Sequence, residues 1–242
     1  MNPGEPLLVS RTEGLTRLCL NRPHKANALD TALVEALIAA VEAAASDGTR
    51  LLVLEGKGEH FCAGFDFSDF ERQSEGDLAL RFLRIETLLQ ALYHAPFQSL
   101  ALAHGRNFGA GADLVVACNQ RIASPEATFR MPGLRFGVVL GTRRLAHRVG
   151  PEQARRLLIE SRTFGADEAV GAGFLNRVAA RHEWEDLIAE AAREAQALPL
   201  ESAARLNALT VIESRDADMA ELARSVSGPG LKARIRAFRA GA

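Results

Sequence analysis

The sequence predicts an α/β protein: repeated strand–strand–helix units around one core, followed by a helical C-terminal region. Three observations carry this. Short apolar runs alternate with longer amphipathic stretches in the order β-β-α-β-α-β-α-β. Glycine-containing turns separate several of these runs from the stretches that follow. From Trp184 onward the pattern is mostly helical and rich in Ala, Glu and Arg. The composition changes near Arg181, which divides the chain into a core (residues 1–181) and a C-terminal helical region (residues 182–242).

Each element has a local reason. PLLVS and LTRLCLN flank Thr12-Glu13-Gly14 and read as a β-hairpin that ends at Asn21-Arg22-Pro23. Asp30 is an N-cap for a helix to about Ala45, with Leu33, Leu37, Ile38 and Val41 on one face and Asp47-Gly48 as its stop. Leu51–Leu54 is a buried strand, followed by the polar loop EGKGEH and the small-residue turn Phe61–Phe67. Asp77–His94 is an amphipathic helix stopped by Pro96. Phe97–Ala103 is a second buried strand and Arg121–Ala123 another, with Ala127–Gly137 irregular. Thr142 caps a helix to Val149, and Gly150-Pro151 starts the next, to about Ser161.

With 242 residues, 48% of them hydrophobic, the chain can bury a substantial core. The net charge of -1 gives no basic surface for nucleic acid or an anionic membrane. No apolar run approaches the ~20 residues of a membrane span, and the N-terminus lacks a secretory pattern. Cys19, Cys62 and Cys118 have no disulfide or metal spacing and read as thiols of a reducing cytoplasm. His24, His60, His94, His147 and His182 are scattered without metal-ligand spacing, and His104 reads as a structural histidine beside a strand. No metal site is expected.

The stretch Ala103–Ser124, AHGRNFGAGADLVVACNQRIAS, joins a buried strand to a glycine loop (Gly105, Gly109, Gly111) and an apolar helix start. A helix start offers free N–H groups and partial positive charge, and glycines leave those groups open to a ligand. Such a turn can hold a phosphate, a carboxylate or a developing oxyanion.

Five stretches resemble the crotonase, or enoyl-CoA hydratase/isomerase, family over nearly the whole chain. They are NRPHKANAL (Asn21–Leu29), FCAGFD (Phe61–Asp66), AHGRNFGAGADL (Ala103–Leu114), RTFGADEAVGAGFLNRV (Arg162–Val178) and IRAFRA (Ile235–Ala240). The resemblance implies a crotonase-like spiral of repeated ββα units with a C-terminal helical oligomerisation region, assembled as a homotrimer or hexamer. It implies an acyl-CoA substrate and no separate cofactor, coenzyme A being part of the thioester. By position, the Phe65 and Ala110 N–H groups form the oxyanion hole. Lys25, Ala26, Ala63, Gly64, Asp66 and Phe67 fall where coenzyme A is held, Asp66 also serving to hold its own turn. Lys232, Arg236 and Arg239 can reach phosphates or form a solvated helix face.

The same resemblance marks departures. The hydratases use two facing glutamates. Asp113 stands in place of the first. Gly133, in Met131-Pro132-Gly133-Leu134, stands in place of the second, and the run Gly137–Thr142 is short and lacks acidic residues. Asp69 and Glu71 are candidate substitute acids or plain loop surface. Arg130 and Arg135 flank the missing glutamate and either line the pocket, favouring an acidic acyl group, or face solvent. Cys62 reads as an inert small residue.

Two classes of function follow. One is an acyl-CoA enzyme that stabilises a thioester enolate, with 2-enoyl-CoA hydration or double-bond isomerisation as its chemistry and thioester hydrolysis or decarboxylation also compatible. The other is a non-catalytic acyl-CoA-binding protein. A nucleotide-binding loop is disfavoured, because Gly105–Gly111 lacks the Gly-x-Gly-x-x-Gly order. A serine protease is disfavoured because no serine lies between Gly105 and Asn119.

Overall fold

The computed structural model describes residues 4–241. Strands β1 (Leu7–Thr12) and β2 (Leu15–Leu20) form the expected hairpin, in register Leu7↔Leu20 through Thr12↔Leu15. Strand β2 then pairs in parallel with β3 (Leu51–Gly56), β3 with β4 (Gln98–Ala103), β4 with β6 (Gln120–Ala123), and β6 with β9 (Arg177–Val178). A second, three-stranded sheet contains β5 (Arg106–Phe108), β7 (Thr128–Arg130) and β8 (Phe164–Gly165). Consecutive strands β4 and β5, and then β6 and β7, thus divide between the two sheets, so each turn of the chain adds one strand to each layer.

The first sheet is covered on both faces, as its continuous apolar strands require. Leu52, Leu54, Ala101 and Ala103 face the main core. There they meet α1 (Thr31–Ala44), α2 (Glu75–Tyr93) and α3 (Ala110–Ala117). Leu51, Val53, Leu100 and Leu102, one residue out of phase, face Trp184, Leu187, Ile188 and Ala191 of α7 (Trp184–Ala197). The change of composition near Arg181 therefore coincides with no break in packing. Helices α4 (Thr142–Val149) and α5 (Pro151–Glu160) lie between β7 and β8, and α6 (Ala166–Gly171) follows β8. After α7 come α8 (Leu200–Thr210), α9 (Arg215–Ser227) and α10 (Leu231–Ala240), of which α9 packs on α2.

Local chemistry sets the helix ends. Asp30 accepts from the Leu33 N–H at 2.9 Å, the predicted cap of α1. Helix α2 starts two residues before the expected Asp77, because Ser74 and Asp77 form a reciprocal capping box. At α4 the N-cap is Gly141 and Thr142 is the first helical residue. Strands β5 and β7 fall where a loop and an irregular segment were expected. Three-residue strands with exposed or half-buried ends carry too little periodicity to read.

Candidate active site

The site is built where two turns touch. The first is Cys62–Asp66. The second is Phe108–Ala110, which enters α3. Bridges Cys62↔Asn107 and Leu29↔Phe65 extend the second sheet through the first turn. Gly64, at φ +87°, makes the close approach possible: a Cβ there would collide with the Phe108 carbonyl and lie 3.3 Å from the Ala110 nitrogen. Gly111 does the same for α3, where a Cβ would collide with the Cys62 carbonyl. Among the described residues, the N–H groups of Phe65 and Ala110 donate to no protein acceptor. Ala63, Phe65, Gly109, Ala110 and Asp113 line one cavity of about 210 Å³.

The loop before α1 is fastened to the first turn. Ala63 N–H donates to the Ala26 carbonyl at 2.9 Å, and Leu29 N–H to the Gly64 carbonyl at 2.7 Å. Ala26 and Asn27 both adopt left-handed backbone conformations. The Asn27 amide, fully buried, offsets that strain by donating to the Lys57 and His60 carbonyls at 2.9 and 2.8 Å. Sequence reasoning named Lys25 and Ala26 and missed Asn27, whose amide donates to carbonyls 30 and 33 residues away.

Lys25 is exposed, its Nζ 3.3 Å from the Ser68 hydroxyl. Asp66 is buried and already engaged: it accepts from Arg22 at 2.9 Å and from the Ser68 N–H at 2.9 Å. Burial alone would raise the Asp66 carboxyl, but these partners outweigh it and hold it below its ordinary value. Phe67 is partly exposed and lines the cavity.

Asp113 lies one turn into α3, fully enclosed. Its Oδ1 has no hydrogen-bond partner. Burial pushes its carboxyl up to about 8, Glu86 adds to the rise, and Arg144 opposes it. Asp113 is therefore mainly protonated at neutral pH. Nearby, Arg144 and Glu86 form a buried two-pronged ion pair at 2.8 and 2.5 Å, with Asp218 3.6 Å from Arg144. The sequence signal for this pair was Glu86 standing within the apolar face of α2, between Ile85 and Leu89.

Gly133 lies on the cavity wall where the second hydratase glutamate was expected. The shortened run folds back on it: Val138 N–H donates to the Gly133 carbonyl at 3.0 Å. A Cβ on Gly133 would lie 2.9 Å from the Val138 carbonyl oxygen. The absence of a side chain at Gly133 and the close approach of the Val138 carbonyl thus go together. Arg130 lines the cavity and donates from Nε to the Ser161 carbonyl at 2.9 Å, whereas exposed Arg135 bonds the carbonyls at the end of α5.

Glu71 is exposed and paired with Arg236 at 2.7 Å. Lys232 donates to the Glu71 carbonyl, and Arg239 stacks over Phe70 at 5.2 Å. These three C-terminal cations therefore fasten α10 to the Phe70–Glu71 segment, just after the first turn of their own chain. The Cys62 thiol is pushed up to about 12 by burial, and the His104 imidazole is lowered to about 4, mainly by burial, with its Nε2 against the Gly58 carbonyl. Among the described residues, no group of His, Cys, Asp or Glu could hold a metal ion, and no helix is long and apolar enough to cross a membrane.

A family model described as enoyl-CoA hydratase/isomerase matches residues 10–227. A solved structure from Bordetella parapertussis, described as a candidate enoyl-CoA hydratase/isomerase, superposes with a TM-score of 0.96 at 52% identity, covering 97% of this chain and 98% of that one. A probable enoyl-CoA hydratase of Mycobacterium leprae (strain TN) is 33% identical over 179 residues, 71% of this chain and 70% of the relative. The 2,3-dehydroadipyl-CoA hydratase of Escherichia coli (strain K12) is 33% identical over 177 residues, 71% of this chain and 68% of the relative. The matched span contains both turns and α3, and with it the chain belongs to the enoyl-CoA hydratase/isomerase family.

Proposed function

We propose that the protein is an acyl-CoA enzyme that stabilises a thioester enolate and moves a proton with Asp113 alone, shifting a double bond from C3=C4 to C2=C3. The observation that carries this reading is the pairing of two unengaged N–H groups, Phe65 and Ala110, with one buried carboxyl in the same cavity. In the forward step the Asp113 carboxylate takes a proton from C2 of a 3-enoyl thioester. The electron pair moves to the thioester oxygen, where two preorganised donors stabilise the developing charge. The Asp113 carboxyl then returns the proton to C4, and the C2=C3 bond forms. One group that both gives and takes suffices.

Hydration needs a second group to activate water, and Gly133 offers none. The test follows the absorbance of the conjugated enoyl thioester. We expect it to grow from a 3-enoyl-CoA with wild type and not with Asp113→Asn. Consumption of a 2-enoyl-CoA by water, at comparable rate, would instead mark a hydratase. Binding of both esters without turnover would favour a non-catalytic acyl-CoA-binding protein, a reading supported by Gly133 and the tight loop that packs on it.

Lys25, Ala26, Ala63 and Gly64 would hold coenzyme A at the cavity mouth, with Asp66 acting through the turn it fixes. Assembly as a homotrimer or hexamer is supported by the exposed apolar side chains around α8, where Leu209 is 85% exposed. The three free cysteines fit a reducing, cytoplasmic setting.

A further inference from the structure

Six of the chain's twelve phenylalanines line the one cavity beside Asp113. Phe65 and Phe67 come from the first turn and the residue after it, Phe82 from α2, Phe108 from β5, Phe136 from the 3-10 turn Gly133–Phe136 and Phe238 from α10. Five of these rings, those of Phe65, Phe67, Phe82, Phe136 and Phe238, form a connected set. Phe65 stacks on Phe82 with centroids 4.3 Å apart and an interplanar angle of 18°. Phe65 is 4.8 Å from Phe67, and Phe67 meets Phe136 edge-on at 6.2 Å. Phe136 in turn packs on Phe238 at 5.0 Å. Two cations outside the cavity lining hold this set in place: Arg81 lies 4.0 Å from the Phe65 centroid and Arg239 5.9 Å from that of Phe67. The cage is thus assembled before a ligand arrives, which lowers the ordering cost of binding.

Taking the cavity as the acyl pocket, as the function proposed above does, we propose that it is shaped for an aryl-bearing acyl group, an acyl thioester whose chain carries an uncharged aromatic ring. An alkyl chain gains burial and dispersion here. An aromatic ring gains these and also edge and stacking contacts with rings already arranged at pair distances. A carboxylate-ended chain would give up its hydration to an apolar wall. The ionisable side chains lining that wall are Asp113 and Arg130, and the Arg130 Nε is already bonded to Ser161.

The experiment is calorimetric titration with saturated thioesters, which undergo no double-bond chemistry: 3-phenylpropanoyl-CoA, hexanoyl-CoA and adipoyl-CoA, with free coenzyme A as reference. We expect 3-phenylpropanoyl-CoA to bind about tenfold tighter than hexanoyl-CoA, and adipoyl-CoA weakest of the three. Phe136→Leu and Phe238→Leu, each checked for an unchanged melting profile, should narrow the phenylpropanoyl to hexanoyl ratio toward one. Equal or tighter hexanoyl binding overturns the aryl assignment, as does tightest binding of adipoyl-CoA, and both leave the acyl-CoA reading intact. Failure of every thioester to bind more tightly than coenzyme A overturns the acyl pocket itself.

Discussion

Gly141 and Asp113 are in direct contact: a Cβ at position 141 would overlap the Asp113 Oδ1. Gly141 also has φ +68° and caps α4. The position of the Asp113 carboxyl, the one that lines the cavity, is therefore set in part by the absence of a side chain at Gly141.

From that contact, Gly141→Ala should displace the Asp113 carboxyl and lower kcat by ~10²-fold or more, since misplacement of a reacting group by about 1 Å has that effect. The left-handed backbone adds a stability cost of roughly 1 kcal/mol. Steady-state kinetics on a 3-enoyl-CoA, alongside a thermal melt, checks both. Wild-type kcat in the variant would separate Asp113 from the chemistry.

Asp113 should leave a pH signature on stability. Its carboxyl titrates near 8 in the fold against an ordinary 3.8, so over that interval the folded state holds a proton that the unfolded chain releases. Its contribution is intact below about pH 4 and is lost as pH rises toward 8. Asp113→Asn, which cannot ionise, should therefore be stabilised relative to wild type at pH 8, by an amount on the order of a few kcal/mol, and much less at pH 4. Chemical denaturation at the two pH values measures the difference.

The same titration governs turnover. Because Asp113 must begin as the carboxylate, kcat/KM should climb with pH by about tenfold per unit and level off above the Asp113 value. Glu86→Gln removes one of the influences that raise that value, so the inflection should move to lower pH. The variant also leaves the Arg144 cation without its paired charge, and losing one partner of a buried pair costs roughly 3–5 kcal/mol. A pH–rate profile that does not shift in a folded Glu86→Gln variant would remove Glu86 from any influence on the site.

Restoring the missing glutamate should fail. In Gly133→Glu the first side-chain carbon meets the Val138 carbonyl at 2.9 Å, so the loop must open. We expect a loss of stability of about 1–3 kcal/mol and no gain in addition of water to a 2-enoyl-CoA. Hydration appearing in this variant would mean that the loop yields and that the departure at Gly133 is a point change.

Assembly has its own check. Leu209→Glu places a charge on the apolar face around α8. If copies of the chain meet there, light scattering should report a smaller species than wild type.

Much of the fold was readable because its signals are local. The hairpin turn, the Asp30 cap, the buried runs around Leu51 and Leu100, and the glycine loop before Ala110 each declare themselves within a few residues. The short strands β5 and β7 did not. They are held by pairing across the second sheet rather than by their own pattern.

By itself, the sequence determined the family, the order of the elements and the two turns that carry Phe65 and Ala110. Tertiary structure alone decided the proton affinity of Asp113, because desolvation depends on what surrounds a group in space. It likewise decided the Arg144–Glu86 pair, the closure of α10 onto the Phe70–Glu71 segment and the cage of five phenylalanine rings around the cavity. These come from segments up to about 170 residues apart, and only packing, which acts across space rather than along the chain, brings them together.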